Sequence, residues 1–309
     1  MLAPRRLPTA MKHALASAAW RCGLTRRPAR DGRAVVLAYH RVTAQRDRRP
    51  GMSVHPDTFE QQVGFLASTY RVLPAAQVAE AVSTGRPLPQ GAACITFDDG
   101  WRDNYTEAWP ILQRAGLTAE IYVVTGHVGT DRLLWTYAIP NGLDPHRAGA
   151  LKRLPSKERA VALGNTAAAT KAGERVFLSW DEMAEMLAGG VSFGAHTHTH
   201  PILTNEPPDV VDAELAACRR ALMHGLGVEP LGFAYPNGDH NQAVRAAVRT
   251  AGFRYAWAAS GGRCGPTSDP YAIYRLVVHE GAVRAANGRP SLAVFALMLS
   301  PLARLLPSL

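Results

Sequence analysis

The stretch Ile95-Thr96-Phe97-Asp98-Asp99-Gly100-Trp101 ends an apolar strand, predicted over residues 92–97, with two adjacent carboxylates. A second stretch, Gly194-Ala195-His196-Thr197-His198-Thr199-His200-Pro201, ends a strand predicted over residues 191–195 with two histidines four positions apart. Helical patterns follow both stretches, and strand and helix signals alternate between residues 34 and 278. This alternation is typical of α/β proteins with parallel strands.

Several side chains with catalytic or metal-ligating chemistry come directly after predicted strands. In parallel barrels, active sites are built at the rim formed by the C-terminal ends of the strands. We therefore expect one rim to carry His40, Asp98, Asp99, His196, His200, Asn237 and His279.

The chain divides into three predicted parts. Residues 1–33 form a basic N-terminal arm with a short amphipathic helix, and residues 281–309 form a C-terminal tail helix that packs on the body. Residues 34–280 form a single barrel domain. Within it, residues 126–175 break the alternation and are too few for a core of their own, which predicts an insertion at the barrel rim.

Two sequence spacings predict where helices begin. Ser179 with Glu182, and Asp57 with Glu60, both have the spacing of a capping box. In that motif, the side chain of the first residue and the carboxylate three positions later each bind a backbone N–H at the helix start.

The formal net charge of +9 is unevenly distributed. Residues 1–49 contain twelve Lys and Arg but only two acidic residues, whereas the remaining 260 residues contain 22 basic and 23 acidic ones. The body therefore lacks the basic stripe typical of nucleic-acid binding, and we expect no nucleic-acid partner. Two interpretations of the arm stay open: peripheral contact with an anionic membrane or polymer, or a solubilising leader.

The compartment is predicted from weaker signals. Cys22, Cys94, Cys218 and Cys264 form no CxxC pair, which favours a reducing compartment. The N-terminal apolar stretch is short for a signal peptide and is followed by Arg21. We expect a cytoplasmic protein, with membrane association through the arm left open and export to the periplasm as the alternative.

The paired aspartates and the spaced histidines together point to metal chemistry. Successive residues of an extended chain point to opposite sides, so one of Asp98 and Asp99 can bind a metal while the other faces a reacting group. His196 and His200 can share a face and chelate one ion, whereas His198 is out of phase. Each segment alone also fits a solvated turn or an exposed loop. Together they predict metal-assisted hydrolysis, with the free carboxylate accepting a proton from water.

The motifs resemble those of the polysaccharide deacetylases, the carbohydrate esterase group that shares the NodB homology domain. The resemblance covers roughly residues 34–280, and its Phe-Ala-Tyr-Pro form is similar to the branch acting on exported bacterial polysaccharides. It is carried by Leu37-Ala38-Tyr39-His40-Arg41, Thr96-Phe97-Asp98-Asp99-Gly100, Ser179-Trp180, His196-Thr197-His198-Thr199-His200 and Phe233-Ala234-Tyr235-Pro236-Asn237-Gly238. It implies an irregular (β/α) barrel of about seven parallel strands, a divalent metal, usually zinc, and release of acetate from an N-acetylated polysaccharide.

The resemblance also implies roles for individual residues. Asp98 is the expected base, and Asp99, His196 and His200 are the expected metal ligands. The backbone N–H of Asn237 is expected to bind the oxyanion of the reacting carbonyl.

The acid that protonates the departing amine is less closely defined. The family commonly takes this histidine from the last part of the barrel, which favours His279; His40 is its rival and His240 a third candidate. The family's usual arginine beside the base is replaced by Ala234 at that position, and Arg275 is a candidate to take its place.

Three other functions stay open at this stage. An O-acetyl esterase would keep the fold and change the bond that is cleaved. A non-catalytic glycan-binding barrel would keep the fold and lose the chemistry. A non-haem iron oxygenase also uses two histidines and a carboxylate, but normally on an all-β scaffold.

Overall fold

The computed structural model describes residues 9–45, 51–139, 143–164, 173–259 and 261–305. Parts of the predicted segments lie outside the described residues: 1–8 of the basic arm, 140–142 and 165–172 of the rim insertion, and 306–309 of the tail.

Short strands form the barrel wall and one separate pair, Arg41–Val42 with Ser53–Val54, that lies outside its sheet. They are β1 (Ala34–Tyr39), β2 (Arg41–Val42), β3 (Ser53–Val54), β4 (Arg71–Val72), β5 (Ala92–Asp99), β6 (Glu120–Val123), β7 (Ser192–Ala195), β8 (Gly232–Ala234), β9 (Tyr255–Ala258), β10 (Arg263–Cys264), β11 (Ile273–Tyr274) and β12 (Leu276–Val277). Seven of them run parallel in the order β1-β5-β6-β7-β8-β9-β11, and β10 pairs antiparallel with β1. The predicted (β/α) barrel is confirmed.

The last two strands nearly close the barrel. β11 pairs with β9, whereas β12, two residues further on, pairs with β1 at the other end of the sheet. Arg275 lies between the two strands and is fully buried. The break in pairing therefore occurs at a residue whose side chain can enter the barrel.

Helices cover the outside of the wall, which explains why all eight residues of β5 are buried. The helices are α1 (Thr9–Arg21), α2 (Pro56–Thr69), α3 (Ala75–Ser83), α4 (Trp109–Arg114), α5 (Pro145–Arg153), α6 (Ser156–Leu163), α7 (Trp180–Ala188), α8 (Pro208–Leu226), α9 (Gln242–Thr250) and α10 (Leu292–Leu299). A π-helical turn, Asn104–Ala108, precedes α4.

Two glycines make room for large side chains inside the barrel. A Cβ atom at Gly194 would overlap the ring of Tyr122, and one at Gly232 would overlap the ring of Tyr255. The space left by these glycines holds a buried pair of polar side chains: the Tyr255 hydroxyl donates a hydrogen bond to the Glu120 carboxylate at 2.9 Å.

The helices α1 and α10 pack together on the outside of the barrel. α1 lies against α10, Ala16 of α1 is 1% exposed, and the ring of Trp20 lies 5.6 Å from that of Phe65. Within the part of the chain that is described, no helix has both the length and the apolar character needed to cross a membrane.

Candidate active site

Three of the predicted side chains meet at the C-terminal rim. Asp99 ends β5, and His196 and His200 follow β7. Asp99 Oδ1 lies 3.5 Å from Nε2 of both His196 and His200, and all three side chains are buried. Their ligand atoms lie within 4.8 Å of one another, close enough to share one ion.

The backbone is strained where it presents these groups. Among the described residues, four other than glycine have a positive φ: Asp99 (74°), Thr197 (66°), His200 (65°) and Asn237 (60°). Such conformations are costly for residues with a Cβ atom and persist only when the surrounding structure enforces them. All four belong to the segments at the strand ends that form this site.

Hydrogen bonds around the trio fit a metal centre. His196 Nδ1 lies 2.7 Å from the Ala234 carbonyl oxygen, so this nitrogen carries the proton and Nε2 keeps its lone pair. Trp101 Nε1 donates to Asp99 Oδ2 at 2.9 Å, which leaves Oδ1 facing the histidines. Burial lowers the pKa of both histidines, which favours the neutral form that binds metal. Two imidazoles and one carboxylate are the ligands of open, catalytic zinc sites.

Glu214, which the sequence analysis missed, holds the loop between the two histidines. Its carboxylate accepts the backbone N–H groups of His198 at 2.7 Å and Thr199 at 2.8 Å, and the Thr199 hydroxyl at 2.7 Å. Glu214 lies on α8, and no local spacing links it to the histidine motif. Only the packing of α8 beside the loop shows this contact.

Asp98 faces Arg275. Nη1 and Nη2 of Arg275 each donate to one Asp98 carboxylate oxygen at 2.7 Å, and Nη1 also donates to Thr96 Oγ1 at 3.0 Å. Burial acts to raise the pKa of Asp98, but the opposite effect of Arg275 and His196 is larger. The pKa of Asp98 therefore falls to about 2. Asp98 is therefore an ionised carboxylate beside the trio, and Arg275, the candidate replacement for the family's arginine, is paired with it.

Asp98 and the trio open into one cavity. Two other predicted residues, His40 and Asn237, also line it, and the rim insertion contributes Trp135, Thr136 and Lys152, none of which the sequence analysis singled out. The Trp135 indole Nε1 donates to the His200 carbonyl oxygen at 2.7 Å. The insertion is therefore one wall of the site.

The three candidate acids lie in different places. His40 lines the cavity; burial lowers its pKa, opposed by the charges of Asp99 and Asp98. His279, the favoured candidate, is not among the described residues that line the cavity, and its ring lies against Gly51. His240 also lies outside that lining and packs on Tyr235, with ring centroids 5.2 Å apart. The structure thus brings His40, and neither rival, to the paired aspartates.

A parallel barrel that carries a buried Asp-His-His trio and a second aspartate at its C-terminal rim has the architecture of a hydrolase active site. Comparison with known proteins identifies the family: the profile described as Polysaccharide deacetylase matches residues 85–256, more than half of the chain. The chain belongs to the polysaccharide deacetylase family and is a hydrolase.

The chain is also similar to known relatives in sequence and to solved structures in fold. The chain is 22% identical over 275 residues to the poly-beta-1,6-N-acetyl-D-glucosamine N-deacetylase of Staphylococcus aureus, covering 82% of this chain and 81% of the relative. Its fold is similar to that of IcaB from Ammonifex degensii, with a TM-score of 0.62 and 21% identity over 85% of this chain and 97% of that one. The Streptococcus pyogenes deacetylase PplD, solved with acetate, also has a TM-score of 0.62, at 21% identity over 82% of this chain and 95% of that one.

Proposed function

We propose that this polysaccharide deacetylase removes N-acetyl groups from amino sugars of a bacterial exopolysaccharide and releases acetate. The name of the Staphylococcus aureus relative supports a polymer of N-acetylglucosamine as the substrate class. The observation that carries the proposal is Asp99 Oδ1, 3.5 Å from both histidine Nε2 atoms, with the ionised Asp98 beside it.

We propose that Asp99, His196 and His200 hold a divalent metal, with zinc the best match to two nitrogens and one carboxylate oxygen. A zinc ion bound there supplies a water molecule of lowered pKa and polarises the substrate carbonyl. We expect His196 to bind through Nε2 and Asp99 through Oδ1, because His196 Nδ1 and Asp99 Oδ2 are engaged in other hydrogen bonds. His200 Nε2 lies 3.5 Å from the same Asp99 oxygen and is the expected third ligand atom.

Asp98 acts as the general base in this proposal. Its low pKa keeps it ionised at neutral pH, and each carboxylate oxygen retains a lone pair beyond the one that Arg275 engages. Arg275 is a positioning residue, since its paired donors fix the plane of the carboxylate. The proton of the attacking water thus passes to a carboxylate held in one orientation.

His40 is the residue best placed to act as the general acid. An amide anion is a very poor leaving group, so the departing nitrogen must receive a proton. His40 faces the same cavity as Asp98, whereas His279 does not. The backbone N–H of Asn237 is the proposed donor to the oxyanion that forms on the substrate carbonyl.

The decisive experiment measures two products on the same substrates. Acetate and free amine are quantified after incubation with N-acetylated and O-acetylated oligosaccharides, among them β-1,6-linked N-acetylglucosamine oligomers. We expect equimolar amine and acetate, loss of both after chelation, and recovery on adding zinc. Acetate without amine would show an O-acetyl esterase and contradict the proposal; Asp98→Asn is the control for background hydrolysis.

We further propose that the surface around α1 contacts anionic membranes. Residues 1–30 contain no acidic residue. Leu15 is 44% exposed and Leu24 is 50% exposed. The exposed arginines of this surface are Arg21, Arg26, Arg27 and Arg30. Exposed apolar groups among cations fit the chemistry of an anionic lipid surface.

A further inference from the structure

A lysine of the rim insertion contacts the turn that carries the proposed oxyanion donor. Lys152, on α5, donates from Nζ to Asn237 Oδ1 at 2.8 Å. On the other side, Asn237 Nδ2 donates to Asp239 Oδ2 at 2.7 Å. Because an ammonium group only donates and a carboxylate only accepts, these two partners also fix which way the Asn237 amide points.

The backbone of this turn needs such support. Asn237 has φ 60° and ψ 0°, a left-handed conformation that asparagine tolerates better than most residues but that still costs free energy. The barrel holds one side of the turn: the Gly238 N–H donates to the Tyr235 carbonyl at 2.8 Å, and a Cβ atom at Gly238 would overlap Ala259. The Asn237 side chain is exposed, and Lys152 contacts it from the insertion.

Lys152 reaches this contact from an anchored segment. The Lys152 carbonyl accepts a hydrogen bond from Asn205 Nδ2 at 2.6 Å. At the start of α6, the Glu206 carboxylate accepts the Ser156 backbone N–H at 2.7 Å. Both partners lie a few residues beyond the ligand His200, so the position of Lys152 is tied to the metal-binding loop.

We propose that Lys152 is a positioning residue, which holds the Asn237 turn so that its backbone N–H is aimed at the reacting carbonyl. This inference rests on the proposed function, because it assigns a partner to the oxyanion donor of that same reaction. It makes the rim insertion part of the catalytic apparatus. A direct contact between the Lys152 ammonium and the sugar is the competing role, and kinetics separate the two.

The test compares Lys152→Met, Lys152→Arg and the matched control Arg153→Met, which changes the next residue of α5. Acetate release is followed from an N-acetylated oligosaccharide and from an activated acetyl ester. We expect Lys152→Met to lower kcat about tenfold on both substrates with KM within about twofold, because oxyanion binding stabilises only the transition state. Lys152→Arg restores most of kcat, and Arg153→Met matches the wild type.

Three results would overturn the inference: kcat and KM both unchanged, a raised KM at constant kcat, or no rescue by arginine. The second would assign Lys152 to direct substrate binding. If Lys152→Met is not folded, Asp239→Ala removes the other partner of the Asn237 amide and is expected to lower kcat in the same way; unchanged kinetics would then reject the inference. A wild type that cleaves only esters would contradict the proposed amide substrate, while the Lys152 comparison could still be made on the ester.

Discussion

The two adjacent aspartates, Asp98 and Asp99, lie in different chemical environments. Asp99 has a tryptophan N–H on one oxygen and two imidazoles near the other, whereas Asp98 is held by both terminal nitrogens of Arg275. Asp99 has a φ of 74° at the end of β5, so regular strand alternation ends there and both carboxylates line one cavity with different partners. The proposed metal ligand and the proposed base are therefore adjacent in sequence but are held by different partners.

The assignment of the general acid is tested by changing the leaving group. His40→Ala is expected to slow amide hydrolysis about 10²–10⁴-fold, the range typical of general acid catalysis. The same substitution is expected to slow hydrolysis of an activated aryl acetate far less, because the aryl leaving group departs without a proton. His279→Ala is the matched control and is expected to retain amide hydrolysis. An equal loss on both substrates, or a larger loss in His279→Ala, would reject His40 as the acid.

The sequence predicted the ligand trio but not the arrangement around it. Asp99, His196 and His200 could be predicted because each follows a strand and because the motif spacing is specific. Arg275 could only be named as a candidate, since 177 residues separate it from Asp98 and the break between β11 and β12 is what aims it inward. Choosing between His40 and His279 required the positions of both relative to the cavity.

At the level of helices, one predicted capping box is confirmed and the other is wrong. Ser179 and Glu182 cap α7 reciprocally. α2 begins earlier than expected: Pro56 occupies its first turn and His55 is the capping residue, with Nδ1 accepting the Asp57 N–H at 3.2 Å. Proline is favoured at the first helical position, which displaces the predicted start from Asp57.

The α7 cap leads to a pH-dependent prediction. Burial acts to raise the pKa of Glu182, but the hydrogen bonds from Arg175, the Ser179 N–H and Arg102 have a larger, opposite effect. The pKa of Glu182 therefore falls to about 2. Because the folded-state pKa lies below the ordinary 4.5, the stabilisation is fully present above about pH 4.5 and is lost as the pH falls towards 2. We expect Glu182→Gln to lower the free energy of unfolding by about 1.5 kcal/mol at pH 7, the lower end of the range for hydrogen bonds to charged groups.

Thermal unfolding of both forms at pH 7 and pH 3 checks this prediction. The difference in Tm between wild type and Glu182→Gln should shrink at pH 3. A difference that is the same at both pH values would show that the carboxylate charge does not contribute.

The rim insertion shows what a sequence pattern omits. Its prolines and glycines predict loops, and Lys157 to Leu163 has helical composition, but neither feature indicates that Trp135 and Lys152 line the site. Lys152 and the start of α6 are held by Asn205 and Glu206, and Trp135 by the His200 carbonyl, all from a different part of the chain. The function of the insertion is therefore a tertiary property.

At the scale of the whole molecule, α1 packs against α10. This contact limits how membrane binding by the arm can be tested. α1 covers α10, so deleting residues 1–30 would expose an apolar helix as well as remove charge. Substitution is the cleaner approach. Arg26 stacks on Trp20 at 4.4 Å and is best left in place.

We expect the triple change of Arg21, Arg27 and Arg30 to Gln to weaken binding to phosphatidylserine-containing vesicles about tenfold or more at low salt, since each surface cation contributes about 1 kcal/mol. Activity on a small soluble substrate should be unchanged. The control replaces three exposed arginines elsewhere, Arg220, Arg249 and Arg254, with Gln. The affinity for vesicles is measured by sedimentation. Equal affinities of the two triple variants would contradict a specific membrane-contacting surface.

The central claim is a metal ion held by Asp99, His196 and His200, and diffraction from zinc-loaded crystals at the zinc absorption edge tests it most directly. We expect one anomalous peak with ligand distances of about 2.0–2.2 Å from the three side chains. The peak should persist in Asp98→Asn, which is expected to have lost turnover, and should be lost or weakened in Asp99→Asn. Full activity in chelated enzyme, or a zinc peak away from these three residues, would contradict the account.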